Sequence, residues 1–384
     1  MKIKEIFNNF LKRMKENLKF ENLSKSSFFA TFVAIILGLL ISLIFLLFID
    51  PSQAFSGFSF LLFGGLSDIG DVIYFATPII LTGLSVGFAF KMGLFNIGAS
   101  GQYTMGLFFG IFVIFMVDIP NDFLHIVTAI IAGILGGFIW GIIPGILKAE
   151  FNVNEVITSI MLNYTGVFVV DYFIVNNSTM FDTGRSVTKY IPQDLQLSSL
   201  GFTGSRANIG FIIAIICAIG LYVILKYTVF GYELKSTGFN KDASKYAGMN
   251  YKRNTILTMG ISGALAGLAG ILVMLAPSNI IGSSTIYEPT HVIAAVGFSG
   301  IAVALLANSN PLGIIASALF ISYLGRGGDQ ISRVGFVPEI VDVSVAIIIY
   351  FAAFALLMNH ALAEYLKKRK EIKELQINAK DGEK

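Results

Sequence analysis

Residues 28–49 read FFATFVAIILGLLISLIFLLFI and contain no charged side chain. About 20 consecutive apolar residues are enough for a helix to cross the hydrocarbon core of a bilayer. A secretory signal sequence has a shorter apolar core, followed by a small-residue cleavage pattern that is missing here. The stretch therefore predicts a retained membrane-spanning helix.

Similar apolar runs recur along the chain, which has 384 residues, 55% of them hydrophobic and 13% charged. Soluble domains carry about 25% charged residues, so this composition favours lipid as the surrounding medium. We predict an all-α fold, a polytopic transmembrane helix bundle of about ten spans with interrupted or re-entrant segments. The predicted spans are residues 28–49, 72–90, 103–117, 123–147, 156–175, 209–227, 255–276, 291–307, 311–324 and 338–358. The third and ninth are short enough to be half-helices.

The distribution of positive charge predicts the orientation, because Lys and Arg accumulate in cytoplasmic loops. Residues 1–27 and residues 359–384 each contain seven Lys or Arg, and residues 226–254 contain six. The segments 50–71 and 118–122 contain none, and we interpret them as loops on the outer side. Both termini are therefore expected in the cytoplasm, which requires an even number of spans.

Three regions follow from this pattern. Residues 1–27 form a basic amphipathic cytoplasmic segment, residues 28–358 form the transmembrane domain, and residues 359–384 form a charged cytoplasmic tail. Within the transmembrane domain, residues 228–254 form a cytoplasmic loop. The polar outer segment 176–208 is either a docking cap or a passive linker.

Several classes of function lack their residues. The chain has no GxxxxGK[ST] phosphate loop and no HExxH zinc helix. Cys217 is the single cysteine, and the three histidines are scattered, so a metal site is not expected. We predict that the chain is not an enzyme and that it holds neither a metal nor a cofactor of its own.

Glycines repeat on single faces of three predicted spans. One ridge has a glycine every four residues, a second combines glycine with alanine, and a third has two glycines. The glycines are Gly133, Gly137, Gly141 and Gly145 in the fourth span, Gly260, Gly263, Gly267 and Gly270 in the seventh, and Gly83 and Gly87 in the second. Small residues at this spacing allow helix backbones to approach closely in a membrane. The ridges predict a tightly packed bundle.

Polar residues interrupt the apolar runs at two places. Residues 91–102 read KMGLFNIGASGQ, and residues 297–313 contain a related pattern of Gly, Ser and Asn. Exposed backbone at membrane depth is tolerated beside a cavity or a polar substrate, although a simple cytoplasmic turn would explain residues 91–102 equally well. Asn163, within the fifth span, either bonds a neighbouring helix or lines the path. The candidate pathway residues are Asn96, Ser100, Gln102, Asn163, Ser299 and Asn308.

The cytoplasmic loop contains a short segment with helix-capping residues. Asn240 can cap a helix, Asp242 falls in its first turn, and Gly248 can end it. Such a helix is either a docking element for a soluble partner or an ordinary loop helix.

These segments resemble permease subunits of bacterial ABC importers, in the branch that includes simple-sugar and branched-chain amino-acid permeases. Within that branch the chain is similar to nucleoside permeases that work with a lipoprotein receptor. The resemblance covers about residues 70 to 350 and lies in residues 93–102, 154–157, 161–164, 231–249 and 297–306. It departs from the pattern at Ser100 and Ser299, where relatives often have an acidic residue, and at Lys235, where they often have an arginine.

The resemblance implies a machine of several chains. A second permease subunit, expected to be a different chain, would share the path, an ABC ATP-binding protein would bind and hydrolyse ATP, and an extracytoplasmic lipoprotein would deliver the solute. It also implies that the 231–249 region is the coupling helix that docks on the ATPase, with Glu233, Lys235, Asn240, Asp242, Tyr246 and Gly248 as its residues. We expect a multi-pass protein of the bacterial plasma membrane that imports a nucleoside by alternating access and does not bind nucleic acid.

Three other functions stay open. The same machine could import a simple sugar of the ribose or galactose type. A stand-alone ion-coupled carrier is less favoured, because its buried charged residues are few in the central spans. An intramembrane enzyme lacks a recognisable catalytic set.

Overall fold

The computed structural model describes residues 27–202, 204–278, 284–337, 339–348 and 350–351. The predicted tail 359–384 lies outside these residues, as does the segment 1–27 apart from its last residue. The chain divides into two compact units, one of residues 60–330 and one of residues 1–59 with 331–384. Each unit is described by itself.

Helices make up most of the described chain. Their bounds are α1 Ser27–Ile49, α2 Ala54–Phe63, α3 Ile69–Phe90, α4 Ala99–Met116, α5 Asp122–Phe151, α6 Glu155–Val175, α7 Gly210–Tyr227, α8 Val229–Phe239, α9 Lys241–Tyr246, α10 Tyr251–Met274, α11 Val296–Leu306 and α12 Pro311–Asp329. Residues 339–348 and 350–351 are also helical. Short 3-10 helices occur at Gly64–Asp68, Gln193–Leu195 and Ile331–Val334, and an antiparallel pair joins β1 Phe181–Asp182 to β2 Val187–Thr188.

Every predicted span overlaps helical residues where the structure describes it, which confirms the helical fold class. Six helical stretches of the described part are long and apolar enough to cross a membrane: Ala54–Phe90, which joins α2 to α3, and α4, α5, α6, α7 and α10. The prediction that residues 50–71 form a loop is wrong, because α2 and a 3-10 helix occupy much of that segment. The apolar run in α2 has only ten residues. A run of that length is too short to be recognised as a span.

Asparagine side chains begin five of the helices. Each accepts a hydrogen bond from a backbone N–H in the first turn, which satisfies a donor that has no partner within the helix. The capping residues are Asn121 for α5, Asn154 for α6, Asn240 for α9, Asn250 for α10 and Asn310 for α12. Local sequence therefore sets these helix starts.

The centre of the larger unit is a contact between the backbones of α5 and α10. A methyl group added to Gly137 would lie 2.2 Å from the carbonyl oxygen of Gly263, and one added to Gly267 would lie 2.4 Å from that of Gly133. A methyl group on Gly106 of α4 would lie 2.1 Å from the Cα of Gly267. The glycine ridges predicted for α5 and α10 are thus in contact, as expected for membrane helices.

Glycine also allows close contacts within the smaller unit. A methyl group added to Gly38 of α1 would lie 2.7 Å from the Cα of Ile348. A methyl group on Gly57 of α2 would lie 2.8 Å from the ring of Phe336. Helices α1 and α2 therefore pack against residues 336–348 in this unit.

Candidate functional site

The first interruption lies between α3 and α4, at residues 91–98. Asn96 is fully buried there, and its Nδ2 donates to Ser85 Oγ at 3.0 Å and to Gln102 Oε1 at 2.9 Å. Gln102 Nε2 returns a bond to Asn96 Oδ1 at 3.1 Å. This amide pair closes the turn with polar groups that satisfy one another, as buried polar groups require.

Asn163 of α6 satisfies backbone groups at the start of α4. Its Oδ1 accepts from the N–H of Gly101 at 2.8 Å, and its Nδ2 donates to the carbonyl oxygen of Ile97 at 3.0 Å. A methyl group at Gly101 would lie 2.8 Å from the Cα of Asn163, so only glycine allows this approach. Asn163 therefore joins α6 to the first interruption.

The segment 297–313 predicted as the second interruption is largely helical, because α11 occupies Val296–Leu306. The non-helical backbone lies before α11, at residues 284–295, and this segment is the second interruption. Two side chains bind its backbone: Ser100 Oγ donates to the carbonyl oxygen of Ala294 at 2.9 Å, and Thr82 Oγ1 donates to that of Val296 at 3.1 Å. A methyl group at Gly297 would lie 2.4 Å from the backbone nitrogen of Ser100. The starts of α4 and α11 are thus in direct contact.

The start of α11 lies deep within the larger unit. Thr82 is eight residues before the end of α3 at Phe90, which corresponds to about 12 Å along the helix axis. At the other end of α11, Lys91 Nζ donates to the carbonyl oxygen of Asn308 at 3.2 Å, so α3 and α11 finish at the same level. Helix α11 has 11 residues, too few for an α-helix to cross a membrane.

The structure brings five of the six predicted pathway residues together around the two interruptions. Asn96, Ser100, Gln102 and Asn163 are buried, and their side chains bond within the chain. Ser299 lies half-buried in the first turn of α11. Asn308 is exposed in the turn after α11, with a positive φ of 51°, away from the other five. Contact of any of them with a solute stays a prediction.

A buried carboxylate near the end of the predicted span 156–175, where the sequence suggested access to water, holds the second interruption in place. Asp171 of α6 is 0% exposed and accepts from the Tyr287 hydroxyl at 2.6 Å and from the backbone N–H of His291 at 2.8 Å. The Nδ1 of His291 also lies 2.7 Å from Asp171 Oδ2. An acidic residue in an apolar run was a detectable signal, but its partners lie more than a hundred positions away.

Residues of the segment 176–208 bond to the same interruption. The N–H of Thr188 donates to the carbonyl oxygen of Tyr287 at 3.0 Å, and the N–H of Ile191 donates to Ser284 Oγ at 2.8 Å. This end of the larger unit also holds Arg326 of α12, which donates to Asp68 at 2.8 Å and to Asp71 at 2.9 Å. Polar contacts thus fix the helix ends on the side opposite Lys91.

Helices α8 and α9 form a projecting surface on the side of Lys91. The predicted cap of α9 is confirmed, since Asn240 Oδ1 accepts from the N–H groups of Asp242 and Ala243 at 3.0 Å each. Gly248 follows α9 with a φ of 82°. Tyr246 is 95% exposed and Phe239 is 91% exposed. These are the two most exposed large apolar side chains among the described residues.

Other predicted coupling residues face the bundle rather than this surface. Glu233 Oε2 accepts from Asn254 Nδ2 of α10 at 2.8 Å, and Lys235 is half-buried. A methyl group at Gly238 would lie 2.7 Å from the carbonyl oxygen of Lys91, so α8 rests on the turn after α3. Helix α8 is therefore in direct contact with the first interruption.

The described residues contain no group of three His, Cys, Asp or Glu that could hold a metal ion. The bonded polar groups at the two interruptions serve to shape helix ends in the larger unit. This arrangement can position a path for a solute.

Comparison with known proteins assigns this architecture to a family. Residues 68–353 match the family described as the permease component of the branched-chain amino acid transport system. The chain is 37% identical to the guanosine ABC transporter permease protein NupP of Bacillus subtilis, with 88% of this chain and 96% of NupP covered. It is also 37% identical to the nucleoside ABC transporter permease protein NupB of Lactococcus lactis, with 92% and 96% covered.

A second permease of the same Lactococcus lactis strain also matches. The nucleoside ABC transporter permease protein NupC is 24% identical to this chain, with 77% of this chain and 93% of NupC covered. No solved structure gives a significant match.

Proposed function

The chain belongs to the family of permease components of branched-chain amino acid transport systems, and from this premise we propose that it is the membrane-spanning subunit of an ATP-driven importer for nucleosides. The observation that carries the proposal is the similarity to a guanosine permease and a nucleoside permease along nearly their whole length. The protein is a multi-pass protein of the plasma membrane.

The solute would move by alternating access along the two interruptions. Ser299, half-buried on the first turn of α11, is the predicted pathway residue best placed to meet it. Asn96, Ser100, Gln102 and Asn163 would shape the path by holding the starts of α4 and α11. The start of the short helix α11 lies deep within the larger unit and can supply backbone N–H groups to a polar solute, which supports this location.

ATP would be bound and hydrolysed by a separate ABC ATP-binding protein that docks on α8 and α9. The exposed rings of Phe239 and Tyr246 support this docking surface. The contact of Gly238 with the turn after α3 gives the motion a route to the path. Asn240, Asp242 and Gly248 would set the shape of the docking helix, and Glu233 and Lys235 its attachment.

The remaining partners are a second permease and a receptor. Two different permeases of one Lactococcus lactis strain match this chain, which supports a second permease that is a different chain. A substrate-binding lipoprotein would deliver the solute on the outer side, to the end that carries residues 176–208. This orientation, with about ten spans and both termini in the cytoplasm, rests on the lysine and arginine distribution.

Uptake measurements test the cargo. Cells that express this chain with its partner chains should take up labelled guanosine, and unlabelled nucleosides should compete whereas ribose and galactose should not. Competition by the sugars alone would show that the transported solute is a simple sugar rather than a nucleoside. Transport by the purified chain without ATP or partners would identify a stand-alone ion-coupled carrier instead.

A further inference from the structure

Three lysines surround a pocket on the side of the larger unit that carries α8 and α9. The pocket has a volume of about 230 Å³ and is lined by Lys91, Tyr222, Leu225, Lys226, Lys235, Asn310 and Pro311. Lys91 follows α3, Lys226 lies at the end of α7, and Lys235 lies in α8. Three separate elements thus direct positive charge to one place.

The lysine charges have no carboxylate partner within the pocket. None of the lining residues is acidic, and the ion pairs of the described residues do not involve these three lysines. Lys91 donates to a backbone carbonyl, and Lys226 donates to the Tyr222 hydroxyl at 2.7 Å. Burial lowers the pKa of Lys91, and the nearby charge of Lys235 lowers it further. An anion in the pocket would offset this repulsion.

The pocket lies where membrane-spanning helices end. Lys91 directly follows the candidate span Ala54–Phe90, and Lys226 is next to the last residue of the candidate span Gly210–Tyr227. Tyr222 and Tyr227 flank Lys226, whose Nζ lies 5.1 and 5.3 Å from their ring centres. Tyrosine rings are enriched at the level of lipid headgroups. The ligand most available to the pocket is therefore a headgroup.

We propose that this lysine pocket binds the phosphate of an anionic phospholipid from the adjacent leaflet. Basic pockets between membrane helices bind anionic headgroups by this chemistry. Leu225 and the ring of Tyr222 supply an apolar wall beside the lysines. A bound phosphate would join the ends of α3 and α7 to α8, the helix that leads to the proposed docking surface.

A carboxylate of a soluble partner is the competing occupant. The half-buried position of Lys235 and the two tyrosine rings beside Lys226 favour the lipid. The experiment below separates the two occupants.

Lipid binding can be measured on the purified full-length chain by native mass spectrometry and by thermal stability, without any transport assay. Phosphatidylglycerol should bind and raise the thermal midpoint, whereas phosphatidylcholine and inorganic phosphate should not. Each of Lys91→Gln, Lys226→Gln and Lys235→Gln should weaken phosphatidylglycerol binding about fivefold, and the triple variant about a hundredfold. Lys245→Gln removes a lysine of α9 that lies outside the pocket, and this variant should bind phosphatidylglycerol as tightly as the unaltered chain.

Four results would overturn the proposal. Equal binding of the two lipids would show that the pocket is not a site for an anionic lipid. Unchanged phosphatidylglycerol binding by all three single variants would show the same. Stabilisation by inorganic phosphate as strong as that by phosphatidylglycerol would identify a free-anion site. Loss of the co-purified ATP-binding protein from the triple variant, with lipid binding unchanged, would assign the lysines to a partner carboxylate. The single variants keep the test valid if the triple variant misfolds.

Discussion

Individual buried polar residues make non-helical backbone tolerable inside this membrane protein. An unpaired N–H or carbonyl group in a lipid-surrounded bundle costs several kcal/mol, so each interruption needs partners. Asn163 supplies them at the first interruption, and Asp171, Ser100 and Thr82 supply them at the second. The polar residues within the apolar runs are therefore a condition for the fold as well as candidates for the path.

Asp171 gives the sharpest test at this scale. Replacement with leucine should lower the thermal midpoint of the purified protein by several degrees, because the Tyr287 hydroxyl and the His291 N–H lose their buried acceptor, at about 1–3 kcal/mol for each group. The thermal midpoint of Asp171→Asn, which keeps one acceptor oxygen, should lie between that of Asp171→Leu and that of the unaltered chain. Asp182→Asn, whose surface pair with Arg185 is exposed, should change the midpoint little. Equal midpoints for Asp171→Leu and the unaltered chain would show that this carboxylate does not hold the interruption.

At the scale of elements, replacing glycine with alanine should change the free energy of unfolding in opposite directions in two helices. Gly267 of α10 lies against the backbone of α5, whereas Gly220 of α7 has open space where a methyl group would go. Gly267→Ala should destabilise the protein by about 1–3 kcal/mol through overpacking. Gly220→Ala should stabilise α7 by up to about 1 kcal/mol, because alanine favours the helix. Thermal unfolding in detergent measures both, and stabilisation by both would contradict the close contact of α5 with α10.

The membrane-spanning helices could be predicted wherever their apolar sequence is long enough to cross a bilayer. A span needs a long apolar run, so the helices from α3 to α7 and α10 could be located within a few residues. The ten-residue run of α2 fell below that length. The run predicted as 291–307 concealed five non-helical residues before Val296, because hydropathy does not distinguish extended from helical backbone.

In the candidate site, contacts between residues close in sequence could be predicted, whereas contacts between distant residues could not. The Asn240 cap lies within three residues of its partners and could be predicted. The bond of Asn163 to Gly101 joins residues 62 positions apart, and that of Asp171 to His291 joins residues 120 apart. One sequence carries no signal for such pairs, so it could indicate that Asn163 faces a partner but not which one.

At the scale of the whole molecule, the larger unit connects a projecting surface to the two interruptions through few intermediates. Helix α8 contacts the turn after α3 at Gly238 and is fixed to α10 through Glu233. The turn after α3 leads into Asn96, and the start of α4 contacts the start of α11. A connected series of contacts therefore leads from α8 to the proposed solute path.

Replacement of residues 240–248 with a flexible Gly-Ser linker tests this connection. The linker removes the Asn240 cap, α9 and the exposed ring of Tyr246, so nucleoside uptake and association with the ATP-binding protein should both be lost. Membrane insertion and thermal stability should persist, because the large apolar contacts of the bundle lie elsewhere. The double variant Phe239→Ala with Tyr246→Ala should weaken association with the ATP-binding protein while leaving α9 in place. The control variant Tyr172→Ala, which removes an exposed ring from α6, should not weaken that association. Full uptake by the linker variant would mean that the ATP-binding protein acts on this chain at another surface.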